Sequence, residues 1–196
     1  DPGYGLADRV PQSIGTSSTE DDDLRLSVVS GTLPTDLSGH VWMVHPMPPG
    51  DNSALFAGGG RVVRLDLGAE GIDAKLRLVR TPCYYADIAS EGKLYAFNTM
   101  SLVRLSMMLG GRNMANTAFV VMDDDRVFVT YDGGRPNELD PHTAEFATSV
   151  GTNNEWKGLI PSWMDWVMNH PFKTIMSTAH PVVDENTLFT VEFNTQ

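Results

Sequence analysis

Cysteine is almost missing from this chain: Cys83 is the single one in 196 residues. One thiol cannot close an internal disulfide, so a reducing compartment, and with it a cytoplasmic location, is the simpler expectation. Basic residues are also scarce, with 14 Lys and Arg against 25 Asp and Glu and a net charge of -11. That balance argues against a nucleic-acid partner, which would want a basic face. It also offers anionic lipid no electrostatic attraction, although apolar insertion stays open. No apolar run reaches the roughly 18 residues of a membrane-spanning helix, and no secretory signal pattern opens the sequence. A starting methionine is lacking, and Gln196 follows a strand-like run with no turn or polar tail. Residues are therefore expected beyond both ends.

What is present is a succession of short strands. Residues 1–23 form a polar, acidic arm ending in Glu20-Asp21-Asp22-Asp23, expected to be loosely held or wrapped on a partner. From residue 24 the ordered body begins, with Leu24, Leu26 and Val28 alternating against Arg25 and Ser27 at the period of a half-buried strand. Val41-Trp42-Met43-Val44 predicts a second strand. Ser53–Phe56 and Arg61–Leu67 predict a hairpin across Gly58-Gly59-Gly60, with the glycines supplying positive φ. A phosphate loop is excluded there, because its lysine is absent and a strand follows. Further strands are predicted at Leu76–Arg80, Lys93–Phe97, Ala118–Met122, Arg126–Tyr131 and Glu145–Val150. Asp123-Asp124-Asp125 reads as a turn, since no ligands follow at calcium-loop spacing. Such a series indicates an all-β sandwich, barrel or propeller. At roughly 40–45 residues per blade, a propeller reading gives about four blades over residues 24–196, with no exact repeat.

Two interruptions read as helical. Leu102, Leu105 and Leu109 recur with Met108 at helical spacing, stopped by Gly110-Gly111. The second runs through Trp163, Met164, Trp166, Val167 and Met168, after Pro161 and a Ser162/Asp165 capping pair. Apolar on nearly every side, it is either buried core or a lip, shared with Met107 and Met108, that meets a membrane or a greasy substrate.

Near the C-terminus lies Ser177-Thr178-Ala179-His180-Pro181-Val182-Val183-Asp184. Pro181 pushes His180 toward extended backbone, placing its imidazole at a strand end from which it could face an interior. By itself this fits a hydrogen-bonded structural histidine as well as a metal ligand.

Taken in order, several segments resemble the N-terminal part of the carotenoid cleavage oxygenase family. They are Gly31-Thr32-Leu33-Pro34 with Leu37-Ser38-Gly39, the Phe56–Leu67 hairpin, Arg80-Thr81-Pro82, and Leu102–Ser106 with Asn116-Thr117-Ala118-Phe119. Tyr131-Asp132-Gly133-Gly134-Arg135-Pro136 with Leu139-Asp140-Pro141 follows, and then Thr178-Ala179-His180-Pro181 with Asp184. The resemblance implies a seven-bladed β-propeller, incomplete in this chain, with one Fe(II) per complete propeller held by four histidines. His180 matches the first of these. Neutral imidazoles bind ferrous iron without cancelling its charge and leave positions open to O₂, the co-substrate. Asp132 stands where the family usually has a glutamate that orients one of the later histidines. His40, His45, His142 and His170 match no ligand position. No residue of this chain is assigned to catalysis beyond holding the metal. The implied activity is oxidative cleavage of a conjugated double bond in a carotenoid, an apocarotenoid or another apolar alkene, giving two carbonyl products. It would need a second polypeptide or a C-terminal continuation bringing three histidines. A retinoid-type isomerase of the same fold and a non-catalytic binding or assembly module are the rival readings.

Overall fold

A computed structural model describes residues 20–47, 58–90, 109–123, 125–164 and 171–192. Its strands form two four-stranded antiparallel sheets and a hairpin. The first sheet has the order β1-β4-β3-β2, from β1 (Asp22–Leu26), β2 (Ser38–Pro46), β3 (Gly60–Gly68) and β4 (Gly71–Leu78). Helix α1 (Pro82–Ser90) follows. The second sheet is a meander of β5 (Ala118–Val121), β6 (Val127–Thr130), β7 (Asn137–Leu139) and β8 (Phe146–Ser149). The hairpin pairs β9 (Val182–Asp184) with β10 (Thr187–Phe189).

These units stack in series because alternating residues send apolar side chains to both faces of β6. Val129 and Leu139 meet Val62, Val79 and Ala115, forming a core between the two sheets that Trp42, Val44 and Phe119 extend. Trp42 and Phe119 pack with ring centroids 5.7 Å apart, and the Arg64 guanidinium lies over the Trp42 ring at 5.5 Å. On the opposite face, Val120, Met122 and Phe128 take Val183 and Leu188 from the hairpin. The second sheet is therefore covered on both sides.

Three expectations need correction. The acidic run was read as part of a loose arm, yet Asp21, Asp22 and Asp23 pair with Arg80, Arg61 and Arg77, one arginine from β3 and two from β4 and just beyond it. Asp21 Oδ1 also accepts the Leu78 amide at 2.9 Å. Three arginines along one edge need acceptors, and this run supplies them. Gly58-Gly59-Gly60 was expected to supply positive φ, and none of the three has it. Close approach is the reason for glycine: a Cβ at Gly60 would stand 1.9 Å from the Ala115 carbonyl oxygen. Helix α1 was not anticipated. Its signal is Thr81-Pro82, where the Thr81 hydroxyl oxygen accepts the Tyr84 amide (3.1 Å) and proline opens the first turn.

The chain turns back between Met122 and Arg126, the Met122 amide donating to Arg126 O at 2.9 Å. Several predicted elements lie outside the described residues: the strands at 53–56 and 93–97, and the helix at 102–109 apart from its last residue.

Candidate metal centre

The segment carrying His180 is fastened from below, residue by residue. Ser177 is buried, donates its amide to Asp132 O (3.0 Å) and its hydroxyl to Gly134 O (2.8 Å). Thr178 donates its amide to Val191 O at 3.0 Å. Ala179 is fully buried, and its peptide groups are gripped on both sides. Its amide donates to Asp132 Oδ1 at 2.7 Å, and its carbonyl accepts the Thr130 hydroxyl at 2.5 Å. Thr130 and Asp132 flank the end of β6, so the sequence Thr130-Tyr131-Asp132 supplies both jaws of this clamp. Buried peptide groups must find partners, and here the Thr130 and Asp132 side chains provide them.

His180 itself is exposed. Its amide donates to Thr178 Oγ1 at 3.2 Å. It precedes β9 by one residue, Pro181, and does not end a strand. Ala179 is buried, and Val183 and Leu188, partly buried, pack against Val120, Met122 and Phe128, while His180 stays accessible. Among the described residues no three His, Cys, Asp or Glu side chains are grouped to hold a metal ion. Among the described residues His180 is thus a single accessible imidazole, and the donor set does not fit a metal site complete in itself.

Next to the clamp is a cavity of about 620 Å³. Val44, Leu159 and Met176 give it apolar wall, while Asn116, Thr117, Tyr131 and Asp132 line it with polar groups. Asp132 joins the cavity to the segment that carries His180. Burial pushes the Tyr131 phenol up to about 12, so it remains a neutral group at any working pH. Arg112, also in the wall, donates through Nε to Asp87 Oδ2 on α1 at 2.9 Å. The Asn116 amide group donates to Gly58 O at 2.7 Å, tying this wall to the glycine run. The sequence reading singled out Asp132 but not Asn116, Thr117 or Tyr131 as site residues. The signal for them was at hand, since all three sit in segments that carry the family resemblance.

The other predicted residues divide. Trp163, 73% exposed, and half-buried Met164 lie in a 3-10 turn, Ser162–Met164. Trp166, Val167, Met168, Met107 and Met108 lie outside the described residues, as does His170. His40 Nδ1 is 2.8 Å from Asp66 Oδ1 and His45 Nδ1 is 3.1 Å from Pro46 O. The His142 amide donates to Asp140 Oδ1 at 2.8 Å. Amides of Thr143 and His142 hold the Asp140 carboxyl below the usual aspartate range.

Comparison with known proteins places this geometry. The family model described as retinal pigment epithelial membrane protein (RPE65) matches residues 15–196. Among curated proteins none matches the sequence. A mutant of Synechocystis apocarotenoid oxygenase is similar in structure, with TM-score 0.62 and 20% identity, over 90% of this chain and 37% of that one. Pseudomonas brassicacearum lignostilbene dioxygenase gives TM-score 0.62 and 20% identity, over 85% and 32%. A chimera of the apocarotenoid oxygenase with RPE65 gives TM-score 0.61 and 20% identity, over 86% and 34%. The chain therefore spans well under half of each of these proteins. The two sheets and the hairpin correspond to part of their β-propeller, as the sequence led one to expect.

Proposed function

The chain belongs to the retinal pigment epithelial membrane protein family, the carotenoid oxygenases, and we propose that it forms the N-terminal part of a non-haem iron dioxygenase. The reaction is oxidative cleavage of a conjugated carbon–carbon double bond in a carotenoid, apocarotenoid or similar apolar alkene. One O₂ supplies one oxygen atom to each of two carbonyl products. The observation that supports this most directly is the clamp on Ala179, one residue before His180, closed by an aspartate that also lines the cavity.

His180 contributes one of four imidazoles. The other three come from a second polypeptide or a C-terminal continuation, because the described residues hold no group of three ligands. When bound, Fe(II) supplies the Lewis-acid and redox centre at which O₂ and the alkene react. Thr130 and Asp132 fix the backbone just ahead of the imidazole, so that fewer orientations must be frozen on metal binding. Asp132 keeps Oδ2 for orienting a second imidazole, the part its glutamate counterpart plays elsewhere in the family. The apolar wall of Val44, Leu159 and Met176 receives the polyene and displaces water. Trp163 and Met164 belong to an apolar lip proposed from the sequence, whose other members, Trp166, Val167, Met168, Met107 and Met108, lie outside the described residues. Through it the protein, which we place in the cytoplasm, touches a membrane peripherally to collect substrate.

The test is turnover under ¹⁸O₂ by the assembled protein, with metal analysis of the same sample. Label in both carbonyl products and one iron per assembly are expected. Unlabelled, rearranged product would replace this reading with the oxygen-independent isomerase. An iron-free assembly that still holds apocarotenoid would replace it with a binding module.

A further inference from the structure

We propose that a small pocket beside the large cavity binds a carboxylate-sized anion, arriving either free from solution or as the charged end of an elongated apolar ligand. The pocket has a volume of about 70 Å³, room for an ion of a few heavy atoms. Its lining includes Thr81, Asn113, Arg135, Asn137, Asn153 and Lys173. Among the described residues none that lines it is acidic, in a chain where Asp and Glu outnumber Lys and Arg by 25 to 14. Gly111 and Gly133 line both this pocket and the larger cavity, so the two share a wall. The inference stands apart from the reaction proposed above, since it concerns binding alone.

Two cations without a bonded counter-charge carry the argument. Arg135 Nη1 donates to the Val150 carbonyl at 3.3 Å and to that of Gly151. Lys173 Nζ donates to Trp156 O at 2.6 Å and to Asn153 O at 3.1 Å. Among the described residues neither side chain is bonded to a carboxylate. Stapling this loop needs no charge, because Trp156 Nε1 donates to the same Val150 carbonyl at 3.1 Å. Burial pulls the Arg135 guanidinium below its ordinary value, as expected of a cation set away from water with no ion bonded to it. Glu155 offsets this from a distance, but it is exposed and its Oε2 accepts the Thr152 amide. Asp132, next to Gly133, gives Oδ1 to the Ala179 amide and lines the larger cavity instead.

What the two cations leave over matches a carboxylate. With Nη1 committed to carbonyls, Arg135 keeps its Nε–Nη2 edge, which meets a carboxylate through two parallel hydrogen bonds. Lys173 keeps a third N–H. The arginine is braced as well. Side-chain amides of Asn113 and Asn137 donate to its carbonyl at 2.8 and 3.4 Å, and the Ser149 hydroxyl donates to Asn137 Oδ1 at 2.8 Å. Groups held in place before a ligand arrives lose little entropy on binding it.

Thermal unfolding of the assembled protein in rising acetate tests the site, with acetamide as the uncharged probe of the same shape. Acetate should raise the melting temperature saturably, and acetamide should not. In Lys173→Gln the half-saturating acetate concentration should rise by about tenfold or more. Asn153→Asp, which puts a carboxylate into the pocket wall, should abolish the response while keeping the far-ultraviolet circular dichroism of the parent. No saturable response in the parent, one that acetamide reproduces, or equal responses in the parent and both variants would overturn the proposal. A polyene carboxylic acid and its methyl ester then identify the source, followed by the NMR linewidth of ¹³C-acetate. Displacement of acetate by the acid but not the ester makes the anion the end of an apolar ligand. Acetate left bound in the presence of the acid makes it a free ion, and either result keeps the site. Neither measurement depends on iron or turnover, so the site and the reaction stand or fall separately.

Discussion

Two segments of this chain are pinned onto the sheets by opposite means. The acidic run at Asp21–Asp23 is held at the first sheet's edge by arginine pairs whose carboxylates reach solvent. The Asp21, Asp22 and Asp23 side chains are 29%, 46% and 67% exposed, although the Arg61 and Arg77 side chains are mostly buried. The Ser177–Ala179 segment is held on the second sheet by buried hydrogen bonds from the Thr130 and Ser177 hydroxyls and by a half-buried one from the Ala179 amide to the exposed Asp132 carboxylate. Exposed pairs are screened by water and contribute little each, whereas buried donors and acceptors cost their full desolvation when a partner is removed. The seam is therefore the more adjustable of the two, and the clamp is the costlier to break. That difference suits their places: the seam closes an edge strand, and the clamp stands directly ahead of the candidate ligand.

The largest effect should come from breaking the clamp on its charged side. Asp132→Ala strands the buried Ala179 amide and should cost about 1.5–3 kcal/mol of stability in denaturant unfolding. Asp132→Asn, which keeps an acceptor, should recover much of that loss. Thr130→Val strands the Ala179 carbonyl instead, with an expected cost of about 1–2 kcal/mol. If both variants unfold like the parent chain, the clamp is not what holds this segment. Arg80→Ala, on the seam, should cost only about 0.2–1 kcal/mol, and the loss should shrink further in concentrated salt. A salt-insensitive loss as large as that of Asp132→Ala would erase the contrast between the regions.

Acid sharpens the same comparison by the smallest expected amount. Burial raises the Asp21 carboxyl, but the Arg80 side chain and the Leu78 amide outweigh it and leave the group below its ordinary 3.8. A carboxylate lowered by folding contributes stability that is complete above the unfolded value and is lost as pH falls through the folded one. Hydrogen exchange at the Leu78 amide, bonded to Asp21, should accordingly quicken relative to other β4 amides only below the ordinary aspartate range. No such acceleration on acidification would mean that Asp21 does not hold the strand.

Period-two alternation in Leu24–Leu26, Arg61–Leu67 and Ala118–Val121 was enough to read the strands, because side-chain direction in a strand follows from spacing alone. The ordered motifs from Gly31 to Pro181 were enough for the family. Helix α1 was also written in Thr81-Pro82, but competing strand signals on either side obscured it. What no spacing could tell was the purpose of Gly60, whose neighbour Ala115 is 55 positions away in the chain and meets it only after two sheets have packed. The clamp is of the same kind. Thr130 and Asp132 look like a strand end and a turn, and become jaws only because Ala179 arrives between them from nearly 50 residues on. The accessibility of His180 was decided at that level too. Local sequence sets which way a side chain can point, but only packing sets what already fills the space it points into. Here Ala179 is buried between Thr130 and Asp132, and the next residue, His180, is left exposed.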